Sequence, residues 1–375
     1  MALRNPGRTP VIGKRWPYKA LNYLPPRQLW KFLARKSGGT LPEAPFHLGK
    51  SLTEARRILV VLPDGFQEIL VAFPMVQCLV QDLPGSEFLF LANQDLTGFV
   101  SALFGPDRVL GIRSGEFFWG EVHFRELVAR ATAFKADISI NLRGEAFPLM
   151  HFLLRSSAAP IRIEVSGDAP RPFANLLLKP SDPANHLKRF LQAVRLWDFS
   201  DRPITPKWSR LGASPENIKE AQTRLVSKGV RPESTRLFLW QDGDQALQRK
   251  LFQAAVSERA GQGAAKSLVV VNGAGPLLAT SPPPQDLAQS LPAMEVDSIG
   301  LLLGLFAQTA YSIGINGPLL QLAGIADTDV EGHFRSDEAV WDTSFLNPRL
   351  RVKYDRPEES PKEGLWSKGS SSSPN

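Results

Sequence analysis

The first regular elements of the chain are predicted by one stretch, Ile58-Leu59-Val60-Val61-Leu62-Pro63-Asp64-Gly65-Phe66-Gln67-Glu68. Its first five residues are all apolar, which is typical of a parallel strand covered on both faces. From Ile69 to Val80 the apolar residues recur at three- and four-residue spacing, which predicts a helix that Pro84-Gly85 ends. A strand, a short loop and a helix in this order predict the opening of a doubly wound α/β sheet.

The same alternation continues along the chain. In the first half, strands are predicted at Phe88–Leu91, Arg108–Ile112 and Ile138–Leu142, and helices at Leu96–Phe104, Val122–Phe134 and Ala184–Phe199. A polar, proline-containing stretch from Ser200 to Ser214 predicts a linker, after which the alternation restarts. In the second half, strands are predicted at Arg236–Trp240, Leu268–Val271 and Tyr311–Ile315, and helices at Ile218–Lys228, Ala246–Ala260, Ile299–Ala307 and Pro318–Ile325.

These two halves predict an α/β protein with two Rossmann-like doubly wound domains that face a cleft. The predicted boundaries are a basic, aromatic arm at 1–56, an N-terminal domain at 57–203, a C-terminal domain at 204–345 and a partly disordered tail at 346–375. Ligands of such sheets bind at the carboxyl ends of the strands. The loops after the strands are therefore the candidate site, and the fold alone permits sugar transfer, epimerisation or plain binding.

Composition excludes several classes of protein. A length of 375 residues is too great for a single small module, and 43% hydrophobic residues suffice for a full core. The single cysteine, Cys78, cannot form an intramolecular disulfide or a cysteine-rich zinc site. A cytoplasmic location is therefore expected.

The net charge of +7 is unevenly distributed: residues 1–57 carry +10 and the remaining chain carries −3. In this arm the basic residues alternate with aromatic ones such as Trp16, Tyr18 and Trp30, a mixture suited to an anionic membrane surface. The alternative is an arm that wraps around its own domain. A nucleic-acid partner is unlikely, because the rest of the chain is slightly acidic. The arm has neither a membrane-spanning apolar run nor the apolar core of a signal peptide.

Two carboxylates, Asp64 and Glu68, follow the first predicted strand. In a cleft, a carboxylate can act as a general base that accepts the proton of an attacking hydroxyl. The alternative for Glu68 is a helix-capping role, because negative charge is stabilised at a helix N-terminus.

This opening, with Pro74 and Leu83-Pro84-Gly85 beyond it, resembles glycosyltransferase family 9, the ADP-heptose:lipopolysaccharide heptosyltransferases. The first loop of that family has the pattern Asp-x-x-Gly-Asp, and its last Asp is the proposed catalytic base. Asp64 matches the first acid and Glu68 the last, while Gln67 stands where the family has glycine. The resemblance implies a GT-B fold, with Glu68 as the base and Asp64 beside it as catalytic residues.

The resemblance continues through Asp137–Leu142, Pro160–Ile163 and His186-Leu187-Lys188-Arg189-Phe190. It implies an acceptor site built from basic residues, because these bind acidic sugars and phosphates through charge-assisted hydrogen bonds. The implied acceptor-binding residues are Arg143, Arg162, His186 and Arg189. Two alternatives stay open: His186 can have a purely local partner at a helix start, and Arg162 can form an ordinary surface ion pair.

In the second half, Ser312–Ala323 resembles the family signature Gly-Asn-Asp-Thr-Gly-Pro-x-His-Leu-Ala, with Asn316, Gly317, Pro318 and Gln321 in place of Asp, Thr, Gly and His. A glycine-rich turn that enters a helix can hold a diphosphate. The implied donor-binding residues are Gly314, Asn316, Gly317, Gln321, Gly273 and Lys250. For Gly273 the alternative is a plain turn.

The function that the resemblance implies is sugar transfer, with inversion, from an ADP-linked nucleotide sugar to a lipid-linked saccharide. The enzyme would work at the inner face of the membrane with neither a cofactor nor a metal. The altered residues between Asn316 and Gln321 favour a second hypothesis. Under it, the chain is a catalytically degenerate GT-B protein that serves as a membrane-attached binding or assembly factor.

Overall fold

The computed structural model describes residues 46–118, 121–143, 148–165, 174–179, 182, 185–261, 267–274, 277–285, 291–326 and 328–355. The arm up to residue 45 and the tail from residue 356 lie outside the described residues, so their predicted roles are not tested. None of the helices in these ranges combines the length and apolar character that crossing a lipid bilayer requires.

The N-terminal domain is built on a six-stranded parallel sheet in the order β3-β2-β1-β4-β5-β6. Its strands are β1 (Arg57–Val61), β2 (Glu87–Asn93), β3 (Val109–Ile112), β4 (Ile138–Asn141), β5 (Ile161–Val165) and β6 (Leu176–Leu178). Its helices are α1 (Leu48–Glu54), α2 (Phe66–Asp82), α3 (Thr97–Phe104), α4 (Val122–Phe134), α5 (Pro148–Ser156) and α6 (His186–Arg195).

The C-terminal domain repeats this architecture, with a parallel sheet in the order β12-β11-β10-β7-β8-β9. Its strands are β7 (Thr235–Trp240), β8 (Ser267–Gly273), β9 (Ala293–Val296), β10 (Tyr311–Ile315), β11 (Asp329–Arg335) and β12 (Leu350–Asp355). Its helices are α7 (Pro215–Ser227), α8 (Gln245–Gly261), α9 (Ile299–Gln308) and α10 (Pro318–Ile325). If β7 is counted as the first strand of this domain, the strand order of the second sheet, read from its β9 edge, is the same 3-2-1-4-5-6 as in the first sheet. Two Rossmann-like domains, as predicted, have this order.

The apolar run in β1 is explained by packing on both faces of the sheet. Ile58 and Val60 belong to one apolar cluster, whereas Leu59 and Val61 belong to another on the opposite face. Side chains alternate along a strand, so a strand covered on both faces needs apolar residues throughout. The larger cluster continues from α2 to α10, which joins the two domains through a shared core.

Two domain boundaries differ from the prediction. Residues 46–56 pack on the N-terminal domain: Leu52 is buried in α1, and Thr53 Oγ1 accepts a hydrogen bond of 3.1 Å from the backbone N–H of Asp201. At the other end, the second sheet extends through β12 to Asp355, past the predicted boundary at residue 345. The structured body is therefore longer at both ends than the sequence prediction.

A candidate active site between the two sheets

The candidate site lies where the strand order reverses in each sheet. In the first sheet this point is between β1 and β4, and in the second it is between β7 and β10. Adjacent crossovers leave such a point in opposite directions, which opens a crevice at the carboxyl ends of the strands. The loops after these four strands carry Asp64, Arg143, Gln241 and Asn316.

Asp64 and Arg143 form an ion pair across the switch point of the first sheet. The backbone of Arg143 is held by the end of β4, because its N–H donates to Asn141 Oδ1 at 3.0 Å. Asn141 in turn donates to Glu164 Oε1 at 2.7 Å, and His151 Nδ1 lies 2.6 Å from the same oxygen. A buried polar network therefore supports one side of the cleft, and Arg143 neutralises Asp64.

Glu68 lies in the first turn of α2, where negative charge is favourable. Its Oε1 is 3.6 Å from Nδ1 of His186, the first residue of α6, and its side chain is 31% exposed. At 3.6 Å this contact is longer than a hydrogen bond. The Glu68 carboxylate is therefore favoured by the helix N-terminus and has no hydrogen bond to His186.

The ring of His186 is neutral at neutral pH. It stacks on Trp341 with the ring centroids 4.0 Å apart, and burial together with the nearby positive charge of Arg189 lowers its pKa to about 4. The Glu68 carboxylate favours the charged ring, but burial and Arg189 outweigh it. His186 thus contributes an aromatic surface to the cleft, supplemented by a 3.4 Å contact between its Nδ1 and Arg189 Nη1.

Arg162 does not reach the cleft. Its guanidinium is buried at the amino end of β5, where it donates to the carbonyl of Ala159 at 2.7 Å. The carboxyl ends of the strands lie at the opposite edge of the sheet. This placement corrects the expectation that Arg162 binds the acceptor, whereas Arg143, His186 and Arg189 do come together with the two carboxylates of the first loop.

Two of the predicted donor-binding residues contact each other: Asn316 in the turn after β10, and Gln321 in α10. Asn316 Oδ1 accepts hydrogen bonds from Gln321 Nε2 at 3.3 Å and from Gln67 Nε2 at 2.9 Å. Gln321 also donates to the carbonyl of Trp341 at 3.3 Å. Asn316 and Gln321 are almost completely buried. Their side chains connect the turn after β10 to Gln67 of the N-terminal domain and to the backbone of Trp341.

Gly317 caps the N-terminus of α10, which Pro318 begins. The side chain of Gln241 lies against this terminus, and its Oε1 accepts a hydrogen bond of 3.1 Å from the backbone N–H of Leu319. A Cβ atom on Gly317 would lie 2.4 Å from that oxygen. The glycine therefore permits the close approach of Gln241 to the helix end.

The three remaining predicted donor-binding residues have other surroundings. Gly314 lies inside β10 rather than in the turn, and a Cβ there would lie 3.0 Å from Leu239 Cβ. Gly273 ends β8, and a Cβ there would lie 1.7 Å from the carbonyl oxygen of Leu278, so this glycine serves close backbone packing. Lys250 is exposed on α8 and pairs with Asp355 at 3.5 Å. Gly314 adjoins Asn316 and Gly317 along the chain, whereas Gly273 and Lys250 lie on other elements, β8 and α8.

Three residues of the cleft were missed by the sequence analysis. Asn185 Nδ2 donates to the carbonyls of Ala339 and Asp342, each at 3.2 Å, beside the stack of His186 on Trp341. Gln241 carried a signal that could have been used, because it directly follows the predicted strand Arg236–Trp240. Asn185 and Trp341 carried no comparable signal, since their partners are distant along the chain.

The fold is similar to those of several solved glycosyltransferases. A glycosyl transferase family 9 protein from Veillonella parvula matches with a TM-score of 0.62 and 14% identity, over 82% of this chain and 88% of that chain. The E. coli heptosyltransferase WaaC, solved with ADP, matches with a TM-score of 0.55 and 14% identity, over 80% and 93% of the two chains. The E. coli ADP-heptose lps heptosyltransferase II gives 0.53 and 12%, over 79% and 90%.

No family model matches the sequence, and no curated protein matches it significantly. At 12–14% identity, the likeness to the solved proteins is one of fold. It confirms the predicted pair of Rossmann-like domains of the GT-B type. The resemblance to glycosyltransferase family 9 seen in the sequence is confirmed at this level.

Proposed function

We propose that this protein is a glycosyltransferase that moves a sugar from a nucleotide-sugar donor to a saccharide acceptor. The observation that carries the proposal is Glu68, a partly exposed carboxylate at the switch point of the first sheet, with no hydrogen bond to the adjacent His186. The solved proteins of the same fold, which include a family 9 glycosyltransferase and two heptosyltransferases, support this reaction class.

In the proposed reaction, Glu68 accepts the proton of an acceptor hydroxyl while the hydroxyl oxygen attacks the anomeric carbon of the donor. The new carbon–oxygen bond forms as the bond to the diphosphate breaks, so the configuration at that carbon inverts. The nucleoside diphosphate leaves with the electron pair. Asp64 is less suited to the role of base, because its carboxylate is neutralised by Arg143.

In the proposed complex, the donor and the acceptor bind to opposite sides of the cleft. The donor, ADP-linked in our proposal, lies against the C-terminal domain; the E. coli protein solved with ADP supports this assignment. The acceptor, a lipid-linked saccharide, lies beside Arg143 and Arg189 of the N-terminal domain. The charge of the arm supports a peripheral location at an anionic membrane surface, on its cytoplasmic face.

The proposal is tested by a transfer assay. The full chain is mixed with a panel of labelled ADP-, UDP- and GDP-sugars and with an extract of lipid-linked saccharides. The expected result is a labelled saccharide with one donor, and the label should disappear in Glu68→Gln. Absence of transfer from every donor by the folded protein would overturn the proposal.

A second candidate function is a catalytically degenerate binding or assembly factor. The occupation of the α10 N-terminus by Gln241 favours it, because this terminus is where a diphosphate would gain most from the helix dipole. This candidate predicts that the protein binds the saccharide extract without consuming any nucleotide sugar. Equilibrium binding measured beside the transfer assay separates the two functions.

A further inference from the structure

The two faces of the second sheet are covered unequally. On one face, Val330 and Phe334 of β11 are fully buried in the core that continues to α10. On the other face, α8 packs on β8 and β10. Glu331 of β11 lies on this α8 face, because side chains alternate along a strand and Ile313 of the α8-facing cluster is its register partner. Of the helices in the described ranges, only α8 contributes to the apolar cluster on this face.

The α8 face contains a cavity of about 690 Å³ beside α8. Its lining includes the apolar side chains of Leu268 in β8, Ile313 in β10 and Ala255 in α8. The first or second residue of β7, β8, β10 and β12 also lines it, so the cavity lies near the amino ends of the strands. It is therefore at the opposite edge of the sheet from the candidate active site. Cavities of this size enclose drug-sized molecules, so this one can enclose two large side chains.

One wall of the cavity is polar and its groups bind one another. Glu331 Oε2 accepts a hydrogen bond of 2.7 Å from the Tyr311 hydroxyl. His333 Nε2 and Lys353 Nζ each lie 2.7 Å from Glu331 Oε1. Both carboxylate oxygens of Glu331 therefore already have partners within the protein. The apolar part of the lining is different, because covering it would remove apolar surface from water, which is favourable.

The first domain shows which segment covers the corresponding face there. The chain after its sixth strand, β6, folds back as α6, which packs beside α2 and against β5. The helix α2 follows the first strand of its sheet, as α8 does in the second sheet. By this correspondence, the chain that follows β12 belongs beside α8, over β10 and β11. That chain is the C-terminal segment 356–375, which lies outside the described residues.

The C-terminal segment has residues that complement the cavity. Its large apolar residues are the adjacent pair Leu365-Trp366, and the acidic pair Glu358-Glu359 precedes them. The exposed side chains of Arg351 and Lys353 line the cavity and are opposite in charge to the acidic pair.

The C-terminal segment is also long enough to reach the cavity. Trp366 is 11 residues beyond Asp355, the last residue of β12. These residues span up to about 35 Å when extended. The whole of β12 is about 20 Å long, so the segment can return from the carboxyl end of the strand to its amino end.

We infer that the C-terminal segment closes this cavity, with Leu365-Trp366 packed on the apolar lining and Glu358-Glu359 beside Arg351 and Lys353. A segment tethered this closely has an effective concentration of about 1 mM, so a contact with a Kd of about 0.1 mM keeps it docked in about nine-tenths of the molecules. The segment then completes the second domain as α6 completes the first. The inference does not depend on the proposed function, because the cavity is remote from the cleft.

The test measures the solvent exposure of Trp366 in the full chain. The protein is labelled with 5-fluorotryptophan, and Trp366→Phe identifies the Trp366 fluorine signal by its loss. A soluble gadolinium chelate broadens the signals of exposed tryptophans. We expect the broadening of the Trp366 signal to be about tenfold weaker in the full chain than in an isolated peptide of residues 356–375, because only the undocked tenth is accessible.

Two tyrosine substitutions at exposed alanines locate the docking site. Ala310 lines the cavity, and Ala310→Tyr should fill its opening and make Trp366 as accessible to the chelate as it is in the peptide. Ala133→Tyr, on α4 of the other domain, is the matched control and should leave Trp366 protected. Arg351→Glu is a second cavity variant, in case Ala310→Tyr does not fold. It should cause a partial loss of protection, because it repels Glu358-Glu359. The signals of the other tryptophans report folding.

Three outcomes would overturn the inference. The first is a Trp366 signal that is as accessible in the full chain as in the peptide. The second is protection that survives in the folded Ala310→Tyr and Arg351→Glu variants, because the segment then docks elsewhere. The third is protection that disappears on dilution together with a dimer seen in sedimentation, which would assign the segment to a second copy of the chain.

Discussion

Gln67 Nε2 donates a hydrogen bond of 2.9 Å to Asn316 Oδ1, which joins the loop after β1 to the turn after β10. These are two positions at which the sequence departs from the family pattern, with glutamine in place of glycine and asparagine in place of aspartate. The two departures therefore contact each other. Gln321 donates to the same oxygen, so Asn316 Oδ1 accepts hydrogen bonds from both domains.

The contact between Gln67 and Asn316 should be detectable as a coupling energy. In a double-mutant cycle with Gln67→Ala and Asn316→Ala, we expect the double variant to lose about 0.5–1.5 kcal/mol less stability than the sum of the single variants. Urea unfolding of the four proteins measures this difference. Strictly additive losses would show that the bond does not contribute to the stability of the folded protein.

Glu68→Gln should reduce sugar transfer by about 10²-fold or more, because the amide cannot accept the proton in the transition state. Donor affinity should stay nearly constant, and Glu68→Asp should retain part of the activity. The rate of label transfer and the dissociation constant of the donor are the two measurements. Asp64→Asn is the internal comparison, from the same loop. If Asp64→Asn is inactive while Glu68→Gln matches the unmodified chain, the assignment of the base is wrong.

The lowered pKa of His186 predicts a loss of stability in acid. The folded-state pKa is about 4 and the ordinary value is 6.5, so between these pH values the unfolded chain binds the proton more readily. Stability should fall by about 1–3 kcal/mol as the pH decreases from 6.5 to 4. His186→Phe keeps a ring against Trp341 but cannot be protonated. Denaturant unfolding at several pH values should give this variant a smaller acid loss than the unmodified chain, and equal losses would contradict the assignment.

Two glycine substitutions should have opposite effects on stability. In Gly304→Ala, the new methyl group would lie 2.2 Å from the carbonyl oxygen of Asn217, so α7 and α9 must separate, at a cost of about 1–3 kcal/mol. In Gly98→Ala, no atom lies within 4 Å of the new group, and the gain in helix propensity should stabilise α3 by about 0.5–1 kcal/mol. Thermal unfolding compares the two. A stabilised Gly304→Ala would contradict the close helix packing.

Two truncations test whether the arm and the folded body have different roles. Removal of residues 1–45 should leave the free energy of unfolding nearly constant and release the protein from anionic liposomes, an effect that salt should mimic. Removal of residues 1–56 should also destabilise the body, because the buried Leu52 is lost with α1. Sedimentation with liposomes and thermal unfolding measure the two effects. Equal sedimentation of full-length and truncated protein would disprove membrane attachment.

Strands that consist largely of consecutive apolar residues were predictable, whereas β5 and β12, in which charged residues alternate with apolar ones, were not. β5 was missed because Arg162 and Glu164 interrupt its apolar residues. Both are nonetheless buried, since Ala159 accepts from the first and Asn141 donates to the second. β12 was missed because it is an edge strand with several exposed side chains, so its pattern alternates instead of being wholly apolar.

The candidate site was predictable in its loops but not in its contacts. Asp64 and Glu68 were expected beyond the carboxyl end of the first strand, and the structure places them there, in the loop after β1 and in the first turn of α2, because the fold sets where a strand ends. The pairing of cations with carboxylates depended on how distant segments pack: Arg143 pairs with Asp64, while Lys250 pairs with Asp355 at the end of the edge strand β12.

The amino-acid sequence by itself determined the two doubly wound domains, because the spacing of apolar side chains in strands and helices is a local property of consecutive residues. The tertiary structure alone established the chemistry of the cleft. Gln67 and Asn316 are 249 positions apart, and the bond from Leu319 to Gln241 spans 78 positions. Partners so distant come together only when two sheets have formed and packed, and no local pattern specifies which polar groups then meet.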